Sequence, residues 1–166
     1  MKRFLPLTLF VVALGIATAA IVSQSGTMPA RVATHFDGAG RPNGWMARPN
    51  EARFFILTAL GTACFVAAVG QVIRFFPPET LNVPRAAFWR APENYARACR
   101  FLARACLVQG AFLALWLAGL HGLVGAANRQ VPVELDGKGM EMLLAVFLVE
   151  MAVWIGTLAV YFSKRR

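Results

Sequence analysis

The 166-residue chain is 58% hydrophobic and only 15% charged, with a mean hydropathy of +0.56, whereas about a quarter of a soluble domain is charged. That balance excludes an ordinary water-soluble domain. It also turns the net charge of +9 away from nucleic acid and towards an anionic membrane surface.

Four apolar runs follow in chain order. Residues 4–30, 54–73 and 105–128 contain no Lys, Arg, Asp or Glu, and 142–163 contains only Glu150. Each is long enough to cross a bilayer, which takes about 20 residues. The predicted spans are 4–23, 53–76, 102–126 and 140–162. The pieces between them are shorter than a soluble domain of roughly 50 residues, so a separate catalytic or DNA-binding domain is excluded. Lipid offers no partner to unpaired backbone groups. The expected fold is therefore an all-α membrane protein, a four-transmembrane-helix bundle in which residues 1–166 form a single integral membrane domain. The first span has a second reading, because Lys2-Arg3, an apolar run and Ala17-Thr18-Ala19 resemble a secretory signal with an A-x-A site. The run continues to Val22, which favours a span.

Basic residues orient the bundle. With the N-terminus inside, the inner side holds eleven: Lys2, Arg3, Arg74, Arg85, Arg90, Arg97, Arg100, Arg104, Lys164, Arg165 and Arg166. The outer side holds six: Arg31, Arg41, Arg48, Arg53, Arg129 and Lys138. This asymmetry predicts both termini in the cytoplasm. Cys64 and Cys106 then fall within spans and Cys99 on the inner side, so no outward-facing pair can form a disulfide.

The first outer loop, residues 24–52, is expected to be structured. Val32 to Phe36 reads as an extended segment, followed by turn signals at Asp37-Gly38 and Arg41-Pro42-Asn43-Gly44. Pro42 presets φ and Gly44 tolerates positive φ, which predicts a reversal that returns Trp45 towards His35. Trp45 and Phe36 are then placed at headgroup level. His35 and Asp37, two apart in an extended segment, face one side. They suit either local hydrogen bonding, recognition of a ligand or partner, or metal binding with the outer acids Glu51, Glu134, Asp136 and Glu141. The spacing of those acids matches no zinc or calcium pattern, so no metal is assigned.

The inner loop, residues 77–101, contains a helix start at Pro92-Glu93. Beyond it Arg97, Arg100 and Arg104 share a face, and Phe88, Trp89 and Tyr95 are candidate interfacial anchors. Anionic lipid headgroups are the expected partner of this basic face. No nucleic-acid-binding motif is present, so no nucleic acid is expected.

The third span places a small residue at every fourth position: Gly110, Ala114, Ala118, Gly122 and Ala126. Such a ridge permits close helix approach, to another span or to another subunit. The polar residues within spans are Gln71, Gln109, His121 and Glu150. Gln71 and Gln109 are expected at similar depth as an interhelical amide pair. Glu150 and His121 are candidates either for a proton or ion path or for structural and subunit contacts.

The loop motif Met28-Pro29-x-x-Val32-Ala33-x-His35-Phe36-Asp37-x-x-Gly40-Arg41-Pro42-Asn43-Gly44-Trp45, directly after a first span, resembles the signature of the domain of unknown function 1648 family (DUF1648), relatives of the SdpI-type immunity proteins of bacteria. Leu81-Asn82-Val83-Pro84-Arg85-x-x-Phe88-Trp89-x-x-Pro92-Glu93 resembles a segment that follows the second span in some members. The resemblance implies a small bacterial inner-membrane protein and, in the immunity branch, protection against a membrane-active peptide toxin. It implies no catalytic residue.

The chain also lacks a nucleophile–base–acid set, a phosphate loop or a strong metal motif, so neither an enzyme nor a cofactor is expected. The expected function is recognition, in immunity or envelope sensing, through an extracytoplasmic loop carrying Pro29, His35, Phe36, Asp37, Gly40, Pro42, Asn43, Gly44 and Trp45. A protein partner or homo-oligomer goes with it. The alternatives are an accessory subunit of a larger membrane complex and a small proton or ion transporter using Glu150.

Overall fold

The computed structural model describes residues 4–164. Lys2, Arg3, Arg165 and Arg166, which enter the charge asymmetry, lie outside the described residues. The elements are α1 (Leu5–Gly26), β1 (Arg31–Phe36), β2 (Pro42–Ala47), α2 (Arg48–Val72), α3 (Ala86–Arg90), α4 (Pro92–Asn128) and α5 (Gly137–Ser163). Two 3-10 turns, Ile73–Phe75 and Pro78–Thr80, lead from α2 towards α3. Among the described residues four helices are long and apolar enough to cross a membrane, and the chain is a helical membrane protein. Proline occupies the first turn of α1, α2 and α4, where its missing N–H has no helical partner to lose. α4 begins at the expected Pro92 and runs 37 residues, so its N-terminal turns project beyond the apolar run.

The core is built by α1, α2 and α4. Ala13, Ala17 and Ile21 of α1 meet Ala59, Ala63 and Ala67 of α2 and Ala111, Ala114 and Ala118 of α4. In lipid, burying an apolar side chain against another helix gains little over burying it against acyl chains. Close approach and dispersion hold the helices together instead, and small residues permit both. Gly110 marks one point of close approach, since a Cβ there would stand 2.7 Å from the Ala63 carbonyl oxygen and 2.9 Å from Phe10 Cε2. The small-residue ridge is thus an intramolecular seam through Gly110, Ala114 and Ala118. It does not extend the full predicted length, because Ala126 is exposed. A four-residue step advances 400° around a helix of 3.6 residues per turn, so about 40° of drift per step carries the row off the seam.

α5 lies against α4, and most of its large side chains, Leu144, Leu148, Val149 and Val153 among them, are exposed and face lipid. Its attachment uses specific contacts: Trp116 Nε1 donates to the Leu143 carbonyl at 2.9 Å, and Trp154 Nε1 to that of Ala105 at 3.4 Å. At its C-terminal end Phe162 packs with Trp89 of α3, whose Nε1 donates to the Phe162 carbonyl at 2.8 Å.

β1 and β2 form an antiparallel hairpin at the end of the bundle where α1 ends and α2 begins. Trp45 pairs with Ala33 and Gly44 with His35, so the expected return of Trp45 towards His35 takes place. Its turn lies elsewhere, however. The chain reverses over Asp37–Arg41, with Gly40 at φ +78°, and Pro42-Asn43-Gly44 are strand residues. Proline is compatible with the first position of a strand. Gly44 is needed because the His35 side chain lies across it, its Cβ 2.9 Å from where a Gly44 Cβ would be.

Candidate functional site

Three features converge at the hairpin end. The first is a clamp. Asn128, the last residue of α4, accepts the Ala33 N–H through Oδ1 at 2.7 Å and donates Nδ2 to the Ala33 carbonyl at 2.9 Å. It thereby acts as a strand partner for one residue of β1, while Nδ2 also reaches the Val124 carbonyl of its own helix at 2.8 Å. A second tie comes from the α4–α5 connection, where Leu135 N–H donates to the Gly40 carbonyl at 2.9 Å. A side chain at Gly40 would stand 2.8 Å from the Leu135 oxygen, so this motif glycine is required both by its φ and by the neighbouring loop.

The second feature is the buried polar cluster beneath the hairpin. His121 of α4 and Glu51 of α2 are both 0% exposed, with His121 Nε2 2.9 Å from Glu51 Oε1. Ser25, at the end of α1, lies 3.2 Å from His121 Nε2 and donates to Glu51 Oε2 at 3.5 Å. His121 Nδ1 faces Gln24 Oε1 at 2.7 Å. An amide oxygen only accepts, so Nδ1 carries a hydrogen. The edge of the Phe55–His121 ring pair closes the cluster, with centroids 4.8 Å apart.

Ser, His and Glu are the constituents of a hydrolase triad, but the geometry is different. In a triad the serine and the acid sit on opposite ring nitrogens. Here both meet Nε2, Nδ1 is taken by Gln24, and the whole set is sealed from solvent. The arrangement joins α1, through Gln24 and Ser25, to Glu51 of α2 and His121 of α4 and does not present a nucleophile to solvent.

The third feature is the exposed surface of the hairpin. His35, Asn43 and Trp45 are exposed, Trp45 at 44%. Phe36 instead packs against the bundle core with Val32 and is not exposed beside Trp45. Asp37 Oδ1 accepts the N–H groups of Ala39 and Arg41, both at 2.9 Å, and holds the turn. His35 Nδ1 lies 3.1 Å from Thr34 Oγ1. The carboxylate is thus committed to backbone, and among the described residues no group of three His, Cys, Asp or Glu side chains is placed to hold a metal. Pro29 is exposed at the approach to β1. Between hairpin and α4–α5 connection runs a groove lined by Arg41, Pro42, Trp45, Pro132, Val133 and Glu134.

The other predicted polar residues lie elsewhere. Gln71 donates to the Ala103 carbonyl at 3.3 Å. Gln109 donates to Glu150 Oε2 at 3.1 Å and to Met151 Sδ at 3.4 Å. The expected Gln71–Gln109 pair is therefore not formed, because Gln109 turns towards α5 while Gln71 faces the α4 backbone. Nor do His121 and Glu150 share a path: His121 is consumed by α1 and α2, Glu150 by Gln109, which lies twelve residues away on α4, about 18 Å of rise. Arg97 is bound internally to Asn94 Oδ1 at 3.0 Å and lies over the Trp89 ring, whereas Arg100 and Arg104 are exposed. Gly122 lies beside Gln24.

Gln24, Ser25 and Asn128 are not anticipated by the sequence reading, and Glu51 is expected there only as an outer acid beside His35 and Asp37. Two had a periodic signal. Ser25 continues the four-residue core row Ala13-Ala17-Ile21, and Asn128 follows His121 by seven residues, hence on the same face. Glu51 reads as a loop acid only if α2 starts at 53; the helix begins at Arg48, which makes Glu51 a first-turn residue pointing into the bundle.

Residues 9–61, from α1 through the hairpin into α2, match the family model described as domain of unknown function (DUF1648). The match confirms the loop motif; Leu81–Glu93 lies outside it. No curated protein and no solved structure matches the chain.

Proposed function

We propose that this is a non-enzymatic bacterial inner-membrane protein, both termini cytoplasmic, whose hairpin recognises a peptide or protein ligand outside the cell membrane, in immunity to a membrane-active peptide or in envelope sensing. The observation that carries the reading is the double clamp. The hairpin is tied to α4 through Asn128 and to the α4–α5 connection through Leu135, while Trp45 and His35 stay exposed. A surface held rigid in advance loses little entropy on binding, and an exposed aromatic beside an arginine is the composition of a binding hot spot. The charge asymmetry supports the orientation: eleven basic residues on the other side against six on this one.

The test is a deletion strain of the native host challenged with membrane-permeabilising peptides and complemented with wild type, His35→Ala or Trp45→Ala. At equal membrane abundance the Trp45 variant is expected to lose protection by about tenfold, the worth of one aromatic anchor. Protection by both variants equal to wild type, or a deletion strain no more sensitive than its parent, overturns the immunity reading.

A second reading, an accessory subunit of a larger membrane complex, draws on α5, whose apolar surface is covered only by α4 along most of its length. Transport through Glu150 has less support, since its carboxylate is bonded to Gln109 and has no ionisable partner along α4.

A further inference from the structure

At the end of the bundle away from the hairpin, a cleft lies between α2 and α4. They touch at Gly70, where a Cβ would stand 2.5 Å from Cys106 Cβ. Beyond that point α2 tightens into the 3-10 turn Ile73–Phe75, which stays in contact with α4. The cleft has a volume of about 410 Å³, and its walls include Gln71 and Arg74 on one side and Tyr95, Cys99 and Arg100 on the other. Arg74 and Arg100 are both exposed. Among the described residues the single acid–base pair within 4.0 Å is His121–Glu51, so neither arginine is neutralised by a carboxylate. The Tyr95 hydroxyl is directed to the carbonyls of Ile73 and Phe76, at 3.1 and 2.7 Å, which fixes the floor. Glu79 is the acid near enough to act on Tyr95, and it does not pair with either arginine.

The depth of the cleft matters as much as its charge. Arg74 is the first charge after the apolar run 54–73, and Arg100 and Arg104 are the last before 105–128. Both walls therefore cross from hydrocarbon to headgroup at this level. Arg100, Arg104 and Val108, four residues apart, form one exposed stripe on α4, polar at the cleft and apolar below it.

The geometry points to a binding site for one anionic glycerophospholipid, its phosphate held between Arg74 and Arg100 and an acyl chain running along α4 past Val108. A basic pocket between membrane helices at the interface is a recurrent headgroup site, and guanidinium groups bind phosphate oxygens in bidentate fashion. The cleft lining contains no carboxylate to receive a choline or ethanolamine cation, which favours an anionic headgroup. The site differs from the face expected along Arg97, Arg100 and Arg104: it recruits Arg74 from α2 and leaves Arg97 to Asn94 and Trp89.

Native mass spectrometry of the detergent-solubilised full chain titrated with phosphatidylglycerol or phosphatidylcholine tests this. Arg74→Gln/Arg100→Gln is compared with a charge-matched control at the hairpin end, Arg31→Gln/Arg53→Gln. Wild type and control are expected to retain one phosphatidylglycerol, and the Arg74/Arg100 variant to bind it about 30-fold more weakly, the product of two interfacial arginines. Millimolar inorganic phosphate is expected not to displace the lipid. Equal weakening in both double variants, undiminished binding by the Arg74/Arg100 variant, or equal retention of phosphatidylcholine overturns the proposal. Displacement by phosphate alone also does so, and assigns the cleft to a free anion. All four arginines are exposed, and unchanged unfolding temperatures in lipid-free detergent check that the variants are folded.

Discussion

Asn128→Ala removes the clamp without touching the hairpin itself. Its side chain completes two backbone groups of Ala33, the N–H at 2.7 Å and the carbonyl at 2.9 Å, and Ala33 is 0% exposed. After truncation both groups are left without a partner in a site closed to water. Each such group costs about 1–3 kcal/mol, so the hairpin should loosen by about 2–6 kcal/mol relative to the helices. The effect is local, because the α1–α2–α4 seam lies deeper and does not depend on Asn128. Hydrogen exchange of the 31–36 segment in nanodiscs reads it directly: about 2 kcal/mol corresponds to exchange roughly 30-fold faster, with the exchange of 59–67 unchanged. Asn128→Asp sharpens the test. It preserves an acceptor for Ala33 N–H but sets a carboxylate oxygen against the carbonyls of Ala33 and Val124, and should loosen the segment comparably. Exchange of 31–36 within about threefold of wild type in both variants, a change of under 1 kcal/mol, would refute the clamp.

Two further outcomes follow from the packing. Glu51→Leu or His121→Leu alone strands a buried polar partner and should cost about 3–5 kcal/mol, whereas the double variant should cost clearly less than the sum; additive costs in detergent unfolding titrations would mean that the two side chains are not coupled. Gly110→Ala drives a Cβ to within 2.7 Å of the Ala63 oxygen and should cost about 1–3 kcal/mol. Gly122→Ala, with its nearest neighbour Gln24 Nε2 at 3.4 Å, and Ala126→Leu, at an exposed position, should stay within about 0.5 kcal/mol by the same titration.

The legibility of the site follows the range of the forces that build it. The hairpin motif is readable because its constraints are local: Asp37 holds its own turn through Ala39 and Arg41, and only glycine suits Gly40. The placement of that turn was less legible, since Arg41-Pro42-Asn43-Gly44 carries as strong a turn composition as Asp37-Gly38. Pairing with β1, a contact between segments, decides that Pro42 starts a strand. The polar residues show the same division. Composition marks His121, Gln109 and Glu150 as costly in a membrane helix, and each finds a polar partner, Gln109 through its amide nitrogen. Their partners depend on the rotation of each helix about its axis, which no single span reveals.

Sequence alone therefore determined the membrane as solvent, four helices of spanning length, a structured loop between the first two, and the family model that this loop resembles. These follow from charge-free run lengths and from residues whose backbone demands act within a few positions. Tertiary structure decided which helices form the core and that α5 stands at its edge. It also decided that Glu51 turns inward to His121 and that Asn128 fastens the hairpin from 95 residues away. In lipid, helices associate by close fit and by polar groups seeking partners, with little hydrophobic drive to pattern one face of each helix. The pairing is consequently written in three-dimensional complementarity and only faintly in the order of residues along any one helix.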